Sequence, residues 1–231
     1  MPKRVLIALA LFTGAAAGPL MAAGAELSVK VDFVSRRGQR PVAAETVIWL
    51  EPAGGAKPAR PAEPQRAQIV TRAKNLAPRI LPVPVGSVIR FPNEDPISHN
   101  LFSLSAGNSF DLGLYRRGAG KEQQFGTAGI VNIYCNVHPN MSAVVVVMES
   151  PWFTMADANG TATFRNVAPG KYRLIAWNEQ TGSAANDIEV VNERQIRGDL
   201  TVTIDSRNFR APGSHTNKYG KPYAKPTSRD Y

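Results

Sequence analysis

An all-β chain is predicted by three observations: short apolar runs that alternate or are β-branched, turn residues spaced between them, and the lack of any long apolar stretch at helical spacing. The 231 residues include 19 glycines and 18 prolines, which punctuate the runs. Many short strands separated by such turns are the pattern of a packed β-sandwich. The chain is long enough for two modest sandwiches, each able to bury a core without staples.

The first residues read as an export signal. Lys3 and Arg4 precede the apolar run Val5 to Phe12, and small residues lead to Ala23-Gly24-Ala25, which suits signal-peptidase cleavage before Glu26. Residues 1–25 are therefore expected to be a signal peptide and the protein to be periplasmic. No later stretch approaches the roughly 18 apolar residues of a membrane span.

Alternating strands follow at Leu27–Phe33 and Thr46–Leu50, joined through Arg37-Gly38-Gln39, before a surface connection rich in Pro, Gly and Ala from Pro52 to Pro64. Further strands are read at 80–83, 87–91, 100–104, 123–125, 131–134 and 143–148. A turn of helix is allowed only near Arg72 or over Leu112–Arg116. The formal charge is +9, and falls to +7 once Lys3 and Arg4 leave with the signal. Six basic residues against Asp230 put +5 of that into residues 206–231, so the body is almost neutral. A polar terminus with this Pro and Gly content is expected to lie solvated, or to act as an arm toward acidic redox partners. Nucleic acid is not an expected partner of an exported chain.

The chemistry concentrates in Cys135-Asn136-Val137-His138-Pro139-Asn140-Met141. The single cysteine can form no intrachain disulfide, and read alone it could be an inert buried thiol. With an imidazole and a thioether beside it, a soft-metal ligand is the better reading, and His99 can supply a second imidazole. Two histidines, a thiolate and a weak thioether suit copper, whereas the loop offers magnesium or calcium no carboxylate. Other motifs carry less. Gly118-Ala119-Gly120-Lys121 lacks the Ser or Thr of a phosphate loop, and Glu94-Asp95 sits among turn formers and is read as a turn.

Residues 65–149 resemble a cupredoxin. The Cys135, His138, Met141 spacing is similar to the short ligand loop of amicyanin, and Tyr134, His99-Asn100 and Arg79–Gly86 with Phe91-Pro92-Asn93 resemble exported plastocyanin-like proteins often labelled methylamine-utilisation proteins. The resemblance implies a Greek-key β-sandwich with one type 1 copper held by His99, Cys135, His138 and an axial Met141. It also implies that Asn100 hydrogen-bonds near the cysteine and ties the ligand loops together. Asp157–Phe164 and Asn166–Leu174 resemble the second half of a transthyretin-like or carboxypeptidase-regulatory sandwich, expected over 150–205. Residues 26–64 would hold its first half, with the cupredoxin inserted, or else residues 26–51 extend the cupredoxin. Only His99, His138 and His215 occur, and after two are used as ligands too few remain for the further centres of a copper oxidase or nitrite reductase. The expected role is therefore a periplasmic electron carrier, not an enzyme, with His138 as electron port. Copper delivery without electron turnover and an interaction module remain alternatives, and the redox partners and oligomeric state are open.

Overall fold

The computed structural model describes residues 24–37, 41–55, 62–207 and 215–223; most of the expected signal peptide lies outside them. The chain is all-β, and among the described residues the only helical segments are short 3-10 turns at Ala43–Glu45 and Ala53–Gly55. Neither expected helical turn forms. Near Arg72 the chain makes a hairpin, Val70–Arg72 with Asn75–Ala77, whose tip residues Ala73 and Lys74 take positive φ. Leu112–Arg116 is irregular, with Gly113 at positive φ and Tyr115 bridged to His99.

Four sheets form two facing pairs. In one pair, Ala25–Val34 lies between Thr161–Val167 and Thr201–Asp205, while Thr46–Pro52 joins Phe153–Met155 to the ladder Gly170–Asn178, Gly182–Asn192, Gln195–Arg197. Strands from both ends of the chain thus share one core, in which Leu27, Val29, Val31, Ile48, Leu50, Phe164, Leu174 and Val202 are buried.

The other pair is built only from residues between 66 and 148. One sheet runs Gly118–Gln124, Val88–Asn93, Val70–Arg72, Asn75–Ala77, with Arg66–Gln68 also on Val88–Asn93. Its partner runs Ile80–Pro84, Ser142–Met148, Gly129–Cys135, Leu101–Ser103, Phe110–Asp111. Ile69, Ile89, Phe91, Phe125, Val131, Ile133 and Val145 fill the space between them. Gly118-Ala119-Gly120-Lys121 belongs to a strand of this sheet, bulged between Gly118 and Lys121, and continues as strand to Gln124, not into the helix of a phosphate loop.

The run Ala143–Met148 is apolar throughout because both of its faces are covered. Ala143, Val145 and Val147 enter the core just described. Val144, Val146 and Met148 instead meet Val47, with Trp49, Phe153, Met155 and Trp177 of the first sandwich packed around them. Arg79 adds polar links across this seam to Glu179 and, at 3.9 Å, to Glu45.

Gly120 shows how tightly the second sandwich is drawn. Its φ is 79°, and a Cβ there would fall 1.8 Å from the Phe91 carbonyl oxygen. Gly120→Ala is expected to lower stability by about 3 kcal/mol or more, by steric clash and left-handed strain together. Gly126 has open space around the Cβ position and no such φ, so Gly126→Ala should stay within about 0.5 kcal/mol. Chemical denaturation of the two variants checks the contrast.

Candidate metal centre

Strand register brings the site together. Leu101 opposes Cys135 in the antiparallel pair, and the next step is sealed by the Asn136 amide, which donates to the Asn100 carbonyl at 2.8 Å. Carried one residue further, this pairing sets His99 opposite Val137. Side chains alternate across a strand, so Cys135 and His99 share the inward face while Asn100 and Asn136 take the outward one. His99 is fixed from its other edge, where its amide and carbonyl exchange hydrogen bonds with Tyr115 at 3.0 and 2.9 Å.

The ligand loop then closes on itself. The Cys135 amide donates to the Met141 carbonyl and the Met141 amide to the His138 carbonyl, each at 3.1 Å. These bonds turn the chain back within seven residues and return His138 to Cys135. The Cys135 sulfur lies 3.8 Å from His99 Nδ1 and 3.7 Å from His138 Nδ1, and the three donor atoms all fall within 4.8 Å of one another. His99 and Cys135 are fully buried, and His138 is half-buried.

A metal fits this donor set. An ion about 2.3 Å from sulfur and about 2.0–2.1 Å from nitrogen separates the two by roughly 3.8 Å at a trigonal angle and roughly 3.5 Å at a tetrahedral one. The two observed sulfur–nitrogen spacings, 3.8 and 3.7 Å, suit an ion held between them. Burial, then the neighbouring His99 and Lys74, hold the His138 imidazolium below its usual range, which favours the neutral ring that a ligand requires.

Sequence reasoning missed the group that orients His99. The Glu94-Asp95 pair was expected to be only a turn, yet Asp95 is buried and its Oδ2 lies 3.0 Å from His99 Nε2. Burial pushes the Asp95 carboxyl up, but the amides of Lys74 and Ala73, at 2.9 and 2.6 Å, and the His99 ring outweigh it and leave the group below the usual carboxylate range. An ionised carboxylate can only accept. His99 Nε2 therefore carries the hydrogen, and the Nδ1 lone pair faces the sulfur. The carboxylate four residues before His99 was visible in the sequence; the hairpin tip that charges and holds it was not.

Asn100 also differs from expectation. Its side chain donates to Asp111 Oδ1 at 2.5 Å, and it ties the ligand loops through its backbone carbonyl. The outward direction imposed by the strand pair accounts for this. Met141 is 1 % exposed and shares the apolar cluster of Cys135. The donor atoms of His99, Cys135 and His138 thus converge, and Met141 packs in the same buried cluster as Cys135.

The tail is not wholly solvated. Residues 215–223 lie over the site, with the His215 ring stacked on Tyr134 at 4.0 Å between centroids.

Comparisons with known proteins give matches over part of the chain. A purple cupredoxin from Nitrosopumilus maritimus shares 26 % identity over 36 % of this chain and 99 % of its own, with a TM-score of 0.33. An oxidized amicyanin variant shares 19 % over 36 % of this chain and 81 % of its own, with a TM-score of 0.34. A copper-containing nitrite reductase from Thermus scotoductus shares 21 % over 52 % of this chain but 28 % of its own, with a TM-score of 0.35. Residues 151–197 match the family described as polysaccharide lyase family 4, domain II. No curated protein matches the chain. The nitrite reductase corrects one expectation: structures similar to this chain include an enzyme, so the exclusion of enzymatic activity drawn from histidine number is withdrawn.

Asp95→Asn keeps the size of the side chain but removes the charge that accepts from His99. Metal affinity, titrated with Co(II), is expected to fall about 10- to 100-fold. Stability should fall by about 1–3 kcal/mol because buried donors lose their acceptor.

Proposed function

We propose that this is an exported copper protein that passes single electrons through one centre held by His99, Cys135 and His138, with Met141 as a fourth, weak donor. The observation that carries the reading is the pair of imidazole Nδ1 atoms at 3.8 and 3.7 Å from one buried sulfur. Two imidazoles and a thiolate in trigonal array, with a distant thioether, are the donor set associated with blue-copper electron transfer. Bound copper would supply a couple between its +1 and +2 states at this site.

The chain's own residues favour that use. Asp95 holds the His99 ring in one tautomer, and backbone bonds lock Cys135 to Met141 and Asn136 to Asn100. A donor set held this way has little freedom to rearrange when charge changes, which keeps the reorganisation cost low. Ile133, Met141 and Leu101 are fully buried in the cluster that contains Cys135, and they exclude water from the sulfur. His138 is the more exposed imidazole and offers the way in and out for the electron. The exposed Val137 beside it would let a redox partner approach over an apolar surface. On this reading residues 65–149 form a cupredoxin-type sandwich set into a second one, and a periplasmic setting follows from the signal-like segment 1–25. Among the described residues no helix is long and apolar enough to cross a membrane.

Protein reconstituted with Cu(II) is expected to show an intense thiolate-to-copper band in the visible, bleached by a mild reductant and restored by oxidant. Cys135→Ser should abolish the band while leaving the fold intact by circular dichroism. A colourless protein, or a band that does not cycle, would overturn the reading.

A further inference from the structure

The tail segment makes four separate contacts with the ligand loop and its neighbours. Lys218 donates from its amide to Asn136 Oδ1 at 3.1 Å, and its Nζ donates to Asp111 Oδ2 at 2.6 Å. Tyr223 donates from its hydroxyl to the carbonyl oxygen of Cys135 at 2.7 Å. The His215 ring lies flat on Tyr134, and the Tyr223 ring meets His215 edge-on at 5.3 Å.

Two of these contacts complete a closed circuit. The Asn136 amide binds the Asn100 carbonyl, the Asn100 side chain binds Asp111, Asp111 binds the Lys218 ammonium, and the Lys218 amide returns to the Asn136 side chain. Without the tail the circuit is open, and only the Asn136 to Asn100 bond remains of it between the ligand loops. The segment also carries its own turn. Asn217 Oδ1 accepts from the amides of Tyr219 and Lys221, the Asn217 amide donates to the Lys221 carbonyl, and Gly220 takes the positive φ of 70° that the reversal needs. A turn with this internal bonding gives up less freedom on docking than a featureless tail would. The Lys218 side chain is one-fifth exposed and its partner Asp111 two-fifths, so the ion pair lies at the surface and adds to the strap through its geometry.

We propose that His215–Tyr223 is a positioning strap for the metal centre, in which Lys218 and Tyr223 hold the Cys135-Asn136 backbone from the outward face and so limit the loop opening that exposes the thiol. The proposal rests on the reading of the site as a metal centre only for its effect on bound copper; the hold on the loop is a property of the metal-free chain as well.

Two proteins test it against the full chain: one ending at Arg207, and the double variant Lys218→Met with Tyr223→Phe, which keeps the segment but removes both side-chain donors. In metal-free protein, the rate at which iodoacetamide alkylates Cys135 is expected to rise about fivefold for each hydrogen bond lost. Lys218→Arg, which preserves the ion pair with Asp111, should stay near the full chain. In Cu(II)-loaded protein the same two variants should shift the visible band and the reduction midpoint, and lose copper faster to a chelator. If the shortened chain fails to fold cooperatively, the double variant decides alone. Unchanged alkylation in the double variant would overturn the strap. Failure of the full chain to form a coloured copper site would instead overturn the proposed function and leave the alkylation result standing.

Discussion

The candidate site depends on the register between Gly129–Cys135 and Leu101–Ser103. Opposing Cys135 to Leu101 places His99 and Cys135 on one face of the sheet and Asn100 and Asn136 on the other. Because side chains alternate with a period of two, a slip of one residue would turn the imidazole outward while the sulfur stayed inside. The buried Leu101 opposes that slip, since it would leave the core together with the imidazole. Core packing and metal geometry are therefore set by the same constraint.

Polar groups complete what register begins, and each is satisfied from a distant part of the chain. Asp95 would be a costly carboxylate inside the fold were it not for the amides at the tip of the Val70–Ala77 hairpin. Held there, it can orient His99. Asp111, similarly, accepts from Asn100, Gly113 and Lys218, and so connects a ligand loop to the tail. The site is apolar toward the core and networked toward the surface, a division that keeps water from the sulfur without leaving buried polar atoms of Asp95 or Asn100 unpaired.

The two sandwiches share more than a chain crossing. Val144, Val146 and Met148 reach the first sandwich from the strand that immediately follows Met141. That seam gives the ligand loop a firm footing on its C-terminal side, while the strand pair anchors its N-terminal side and residues 215–223 cover it from outside.

Much of this was legible in the residues. The strands over 27–33, 46–50, 80–83, 131–134 and 143–148 were readable because alternation and β-branching reflect half-buried surfaces, and their edges moved by only a few residues. Cys135, His138 and His99 stood out because cysteine and histidine are rare in this chain and two of them lie three positions apart. Short strands at 66–77 were obscured, since three-residue pieces have too little period to detect and the Ala73-Lys74 tip lacks the usual turn residues. The role of Asp95, the outward turn of Asn100 and the seating of the tail were not readable at all. Each rests on single hydrogen bonds between residues 11 to 88 positions apart, and such bonds leave no periodic trace in composition. By itself the sequence determined the all-β class and the donor types of the site. The tertiary structure alone decided which nitrogen of His99 faces the sulfur and what lies over the ligand loop, because both follow from where distant backbone amides and carbonyls come to rest.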